Sequence, residues 1–478
     1  MTASATTKWL ALTLICIVQF MTILDIAIVN VALPSIQGDL GFSQENLQWV
    51  ISAYALVFGG FLLLGGRLGD RLGRRRIFFA GILVFTVASL LAGLSWSEES
   101  LILFRALQGF GAALLSPAAL AILTATFAEG RERNIALGVW GATGGFGAAA
   151  GVLLGGILTD LLSWEWIFFV NVPVGVVALV LTPVWVMDSR DLRTKTFDVP
   201  GAVLITSALV VLVLAITQAN QWGWGSATTW IVFGISAVLH AAFLAWERGR
   251  EEPLVPFSIF RVRTVLGANV TGFILGTILF AMFLLLTLYM QLVLGLSPLE
   301  TGFGYLAVAG TAIIWANVAA FLVNRVSVKP VLMVGMALMG VGLVFFTQIS
   351  ADGSYWSDLF PGFLVIGLGM PFVFVPVTIA AVAGVSHDEA GLASGLINTS
   401  QQIGGALGIA VLSAIATSVT SNEIAAGTDQ AQALVDGFST AFWVAAAGAA
   451  VGVVAIALFV RQSELAPQAE PEPEPASA

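Results

Sequence analysis

Residues Gly66 to Arg76 read GRLGDRLGRRR, five arginines and one aspartate set between two long apolar stretches. Basic loops resist translocation, so Lys and Arg gather on the cytoplasmic side of membrane proteins. This loop therefore assigns one side of the chain to the cytoplasm, and the rest can be folded back and forth from it. The 478 residues are 58% hydrophobic and only 10% charged, with a mean hydropathy of +0.96. That is more apolar surface than a soluble core can bury. Helical crossing of a ~30 Å hydrocarbon core needs runs of roughly 20 apolar residues, and fourteen such runs follow one another. Barrel strands would alternate with period two; the runs do not, so the expected fold is an all-α polytopic membrane protein.

The remaining basic residues test this orientation. With Gly66–Arg76 inside, every second connection must be inside as well: 129–133, 189–195, 247–263, 324–329, 386–389 and the tail from Arg461. These segments, the N-terminus and the first loop hold every Lys and Arg except Arg105. The outer connections carry Asp39, Glu45, Glu98, Glu99, Asp160, Asp352 and Asp429 instead. Both termini are expected in the cytoplasm, with the first helix retained rather than cleaved as a leader. Trp49, Trp96, Trp164, Trp166, Trp246 and Trp356 fall near span ends and read as aromatic belts.

An internal repeat gives the domain organisation. Ala320–Gly335 laid over Gly66–Gly81 matches Asn324 to Asp70, Arg325 to Arg71, Lys329 to Arg75 and Gly335 to Gly81. A similar shift puts Gly395, Gly404 and Gly408 over Gly138, Gly147 and Gly151. The expected arrangement is a six-helix bundle over 1–188, an inserted helix pair over 189–263, a second six-helix bundle over 264–461 and a disordered acidic, Pro-rich tail over 462–478. Weak internal symmetry of this kind marks transporters that rock two bundles about a central site.

The loop, with Gly66, Leu68, Gly69, Asp70, Arg71, Gly73, Arg74 and Arg75, resembles the signature of the major facilitator superfamily. LDIAIVNVALP (Leu24–Pro34), RALQGFGAA (Arg105–Ala113), ASGLINTSQQIGGALG (Ala393–Gly408) and ERGREEPLVPFSIFR (Glu247–Arg261) are similar to motifs of its fourteen-span drug:proton antiporters, the EmrB/QacA type. The resemblance implies the major facilitator fold with two extra central helices, export driven by the proton gradient without a cofactor, and a proton role for the first-span acid. It also implies that the Gly66–Arg75 loop latches the cytoplasmic side, with Asp70 capping a helix N-terminus or pairing with Arg131 or Arg133. The family's antiporter motif carries a proline where this chain has Val152. Gly141, Gly144, Gly147, Gly151, Gly155 and Gly156 remain, and their spacing gives a smooth face for close helix packing.

The chemistry narrows to few residues. Asp25 is the one acid well inside an apolar run, about 13 Å from its outer end at ~1.5 Å per residue, and Arg105 lies at a comparable depth on the fourth run. A carboxylate there is expensive and usually marks a transport pathway. Low dielectric favours the neutral acid and a guanidinium the carboxylate, so small changes in water access can tip the balance. Asp25 with Arg105 is thus read as the proton-coupling pair, the other reading being a structural ion pair. Gln19, Asn30, Gln108, Asn269, Trp315, Asn398 and Gln401 are candidate lining of a central cavity between the bundles. His240 reads as a structural hydrogen-bonding residue in the inserted pair, His387 as surface, Cys16 as packing and Glu165 as solvated at the outer boundary.

Several classes are excluded. No metal-spaced cluster and no P-loop are present, so neither a metal nor a nucleotide is an expected partner, and the net charge of −9 reflects outer loops and the tail rather than a nucleic-acid surface. No nucleophile–base set suggests an enzyme. The expected substrates are small and lipophilic, and neutral, zwitterionic or monocationic, since the second bundle has no intramembrane acid to pair with a dication. A metabolite transporter (amino acid, peptide or siderophore) is the main alternative, and a non-transporting membrane sensor the next.

Overall fold

A computed structural model describes residues 5–128, 130–190, 197–250, 252–385 and 389–465. Lys195, His387 and the tail beyond residue 465 lie outside these. Among the described residues there is no strand, and 14 helices are long and apolar enough to cross a bilayer. The first six are α1 (Thr7–Leu40), α2 (Glu45–Leu72), α3 (Arg74–Gly93), α4 (Glu98–Thr126), α5 (Arg131–Leu161) and α6 (Trp166–Trp185). The inserted pair is α7 (Val199–Trp222) and α8 (Ala227–Arg248). The last six are α9 (Arg263–Val293), α10 (Pro298–Val326), α11 (Val328–Phe346), α12 (Tyr355–Ala381), α13 (Ala390–Ala425) and α14 (Gln430–Phe459). The end of the molecule that carries the Gly66–Arg76 loop is called the basic end below, and the opposite one the acidic end.

The two halves repeat one packing device. Lipid offers no hydrophobic drive for helix association, so close contact of small residues carries it. On α5, a Cβ at Gly151 would sit 2.7 Å from Ala27 Cβ, and one at Gly155 2.7 Å from the Ile28 carbonyl of α1. On α13, Gly408 lies equally tight against Thr277 of α9, where a Cβ would be 2.5 Å from Thr277 Cα. The stripe expected on α5 is thus used only in part: Gly147 touches Ile23, Gly144 is barely in contact, and Gly141 faces open space. Helices α2 and α13 join the halves near their middles, with Thr399 Oγ1 donating to the Gly59 carbonyl at 3.2 Å.

The acidic end is closed. Gly156 of α5 meets the Pro298 and Leu299 backbone of α10, Gly302 of α10 meets the Val152 carbonyl, and Gln291 of α9 donates to the Val31 carbonyl of α1 at 2.8 Å. Between Leu47, Gln48, Leu284, Leu288 and Phe438 only about 10 Å³ of void remains, no more than a single water needs. Towards the basic end α5 and α10 part: Gly138, Gly141, Gly145 and Gly310 have nothing near a Cβ position.

Helix α7 packs against α2 and α13 through Leu209, Val213, Ala53, Leu56, Ala406 and Ala410, while α8 leans on α7 and exposes Trp230, Ile231 and Val238. Trp96, Trp166 and Trp356 are exposed, whereas Trp49 and Trp164 are buried and so do not fit the aromatic-belt reading. Trp164 is held inward because its indole donates to Asp39 Oδ2 at 2.9 Å.

The repeat is visible in the backbone. Gly73, between α2 and α3, has φ 113° and ψ 122°, with its N–H donating to the Gly69 carbonyl. Ser327, which overlays Gly73 in the repeat, has φ 104° and ψ 160° and donates to the Val323 carbonyl. It is the one non-glycine with positive φ among the described residues. A side chain held there costs on the order of 1–3 kcal/mol. Ser327→Gly is therefore expected to raise thermal stability by about 1 kcal/mol after the extra chain entropy of glycine is subtracted; a lowered melting temperature in detergent would contradict the strain.

Candidate functional site

Asp25 of α1 and Arg105 of α4 meet at full burial. Arg105 Nη1 lies 2.6 Å from Asp25 Oδ2, with relative exposures of 1% and 0%. The other carboxylate oxygen, Oδ1, accepts from Gln108 Nε2 at 3.0 Å and from Asn171 Nδ2 of α6 at 2.8 Å. Gln108 also donates to Ser89 Oγ of α3 at 2.8 Å and accepts from Arg105 Nη1 at 2.9 Å. Arg105 Nε donates to the Val50 carbonyl of α2 at 2.8 Å. Its guanidinium also lies over the rings of Tyr54, 4.6 Å away, and Phe168, 5.7 Å away. Aromatic faces solvate a cation where water is absent.

Helices α1, α2, α3, α4 and α6 thus converge on one charged network. Its chemistry follows from its inventory: three amide or guanidinium groups donate to the carboxylate, so the geometry fits the ionised acid. Three donors occupy the roughly four lone-pair sites of the carboxylate, which leaves one open site on Oδ2 beside Arg105. Asp25 is fully buried in this conformation.

Over residues 15–409 the sequence matches the profile of the Major Facilitator Superfamily. The chain belongs to this superfamily. It is 40% identical over 450 residues to the puromycin resistance protein of Streptomyces alboniger, covering 94% of this chain and 89% of that protein. It is 37% identical over 424 residues to the cephamycin export protein of Amycolatopsis lactamdurans, covering 88% and 87%. Among solved structures, a peptide transporter in complex with sulfate superposes with a TM-score of 0.67 at 18% identity, covering 94% of each chain. A bacterial homologue of the lysosomal transporter Spinster gives 0.66 at 15% identity, covering 96% and 98%. At such identities these two share the fold alone.

In this facilitator the basic loop is arranged differently from the sequence expectation. Asp70 pairs with Arg74, at 2.8 Å, rather than with Arg131 or Arg133. Arg133 donates instead to the Thr124 and Phe127 carbonyls, capping the end of α4, and Arg131 is exposed at the start of α5. Arg74 lies just across the Gly73 break between α2 and α3 and reaches Asp70 without any movement of α5. Several of the loop's other contacts go to the end of α6 and the linker after it. Arg74 N–H donates to the Ser189 carbonyl, Arg75 to the Pro183 and Val186 carbonyls, and Gly73 leaves room for the Asp188 carboxylate. Arg71 stacks over Phe197 at 5.1 Å.

The candidate cavity residues divide. Gln108 belongs to the Asp25 network rather than to a free wall. Asn269 is buried and accepts from Ser400 Oγ at 2.8 Å, and Asn30 turns back to the Ile26 carbonyl of its own helix. Gln401 packs its stem on Gly272. Trp315 and Asn398 are exposed, and Gln19 is partly exposed but keeps an enclosed, unpartnered carbonyl oxygen. Glu165 is not freely solvated: it is half-buried, with Oε2 enclosed and unpartnered. His240 Nδ1 lies 2.9 Å from the Ser236 carbonyl within α8.

Sequence reading missed Asn171, Ser89 and the two aromatic faces around Arg105. Asn171 carried a signal, being a lone amide in the apolar stretch WEWIFFVNVPVG; Ser89 and Phe168 carried none. Breaking one side of a buried ion pair costs roughly 3–5 kcal/mol, because the other charge is stranded. Arg105→Gln is expected to lose that much stability, and Asp25→Asn with Arg105→Gln to lose clearly less than the sum of the two single changes. Additive losses in thermal unfolding would show that the two charges do not stabilise each other.

Proposed function

We propose that the protein is a proton-coupled exporter of small lipophilic molecules, antibiotics among them, in which Asp25 carries the coupling proton. The observation that supports this most directly is the dry Asp25–Arg105–Gln108–Asn171 network, which ties α1 to α4 and α6 through one carboxylate. Protonation cancels the charge that holds Arg105 at Asp25 and loosens α1 from its neighbours; deprotonation restores the tie. Substrate binding and proton binding then favour different arrangements of the same helices, which is the condition for exchange. The names of the relatives, a resistance protein and an export protein for antibiotics, support outward movement of drug-like molecules.

In this reading the basic end faces the cytoplasm, both termini lie there, and the membrane is the cell membrane. The conformation is closed outside, with α5 and α10 parted in their cytoplasmic halves beside Trp315, a lateral way in for lipophilic substrates from the inner leaflet. Substrates are neutral, zwitterionic or monocationic, because the second half supplies no membrane-embedded carboxylate at the depth of Asp25 for a second positive charge.

The test uses purified protein with puromycin as the probe. Wild type is expected to release protons on binding it, and to accumulate it inside inverted vesicles under an imposed pH gradient. Asp25→Asn is expected to bind puromycin without proton release and to lose uphill transport by about two orders of magnitude, comparable to the loss of a positioned acid–base group. Equal uphill transport by Asp25→Asn would remove Asp25 from the coupling path.

A further inference from the structure

The closed acidic end holds two polar groups that no contact described so far uses. Gln48 stands where the short helical turn Gln44–Leu47 meets the long run of α2 from Trp49, and only 2% of it is exposed. Its amide Nε2 donates to the Glu45 carbonyl at 3.0 Å, which commits the donor end, while Oε1 is enclosed without a partner. Across the boundary between the halves, Ser413 of α13 has an enclosed Oγ that is also unpartnered. A buried helical hydroxyl has a ready acceptor in the carbonyl one turn back, and Ser89, Thr182 and Thr271 each take it at 2.7 Å. Ser413 makes no such bond, so its hydroxyl is held for something other than its own helix.

Both residues line one void of about 10 Å³, walled otherwise by apolar side chains such as Leu284, Leu288 and Phe438. Thr417, one turn beyond Ser413 on α13, brings a second hydroxyl-bearing side chain to the same wall. That volume holds one water and nothing larger, and a buried water needs about two to four polar partners. Leaving enclosed oxygens unpaired is costly, and one water satisfies both: it donates to Gln48 Oε1 and either donates to Ser413 Oγ or accepts the Ser413 hydroxyl hydrogen. A cation does not fit, since hard cations take about six or more oxygen ligands, and this wall offers only the neutral side-chain oxygens of Gln48, Ser413 and Thr417 among apolar groups.

We propose that Gln48 and Ser413 bind a single water that bridges the two halves, and that this bridge helps to hold the acidic end closed. A bridging water is nearly as good as a direct hydrogen bond, so it fastens the closed end without an ion pair. The two residues belong to different halves, and opening the end separates them and wets both oxygens, so neither is left unpaired in the open state. Losing one member while the end is closed strands the other, which shifts the balance towards opening. The site goes beyond the Asp25 reading and stands whether or not Asp25 couples transport. It rests only on an acidic end that opens and closes as the halves rock.

Two measurements on the full chain in nanodiscs test this. A cryo-EM map of the form closed at the acidic end, sharp enough to show ordered waters, is expected to carry density within hydrogen-bonding distance of both Gln48 Oε1 and Ser413 Oγ. Well-defined side chains without that density, or bonded directly to each other, overturn the site. In the second measurement, Val31→Cys in a Cys16→Ser background reports opening, since Val31 is buried and its carbonyl receives Gln291 from the other half. Alkylation by a membrane-impermeant maleimide is expected to rise roughly tenfold in Gln48→Met and in Ser413→Ala, the effect of one lost bridge on an opening equilibrium. The double variant is expected to rise no further, because both changes remove the same bridge. Thr217→Val removes another enclosed, unpartnered hydroxyl that does not line the void, and is expected to leave the rate unchanged. Unchanged rates in the single variants, effects that multiply in the double variant, or an equal rise in Thr217→Val overturn the proposal.

Discussion

An ionised carboxylate inside a membrane protein must find its counter-charge and its hydrogen bonds within the protein, because lipid supplies neither. Asp25 meets that demand by drawing five helices together. Arg105 brings α4 and, through the Val50 carbonyl, α2; Gln108 brings Ser89 of α3; Asn171 brings α6. The first half of the molecule is organised around satisfying this one group. The same arrangement ties contacts in several helices to this one side chain.

Close packing of glycine faces supplies the second constraint. The α1–α5 and α9–α13 pairs approach to backbone contact through Gly151, Gly155 and Gly408, which gives each half a rigid seam. Contacts between the halves differ in kind. At the acidic end α5 and α10 interlock through Gly156 and Gly302, while in their basic halves the same two helices stand apart. Rigid seams within halves and a one-ended contact between them fit a molecule whose halves move as bodies. Val152, where the family motif has proline, sits at this contact: its carbonyl is what Gly302 packs on, so the close approach of α5 and α10 does not depend on that proline.

The basic loop joins these parts to the inserted pair. Its arginines reach the Pro183–Ser189 stretch on one side and the Glu252–Pro253 carbonyls on the other, the two linkers that flank α7 and α8. The basic loop therefore also anchors the connections on either side of the inserted pair.

By itself the sequence determined what depends on composition and local order. Fourteen apolar runs had to become helices because an unpaired backbone cannot remain in lipid, and the segregation of Lys and Arg from the acids sorted their ends. It also located Asp25 and Arg105, since charges in apolar runs stand out against their neighbours. Only the tertiary structure decided partners. Asn171 and Ser89 reach the network from other helices; Asp70 closes on Arg74 across the Gly73 break rather than on α5. Asp198 and Glu247, at helix ends, are both buried only because α7 and α8 pack side by side. Contacts between distant segments leave no periodic trace in the sequence, and in this protein those contacts fix which acids are buried with which partners.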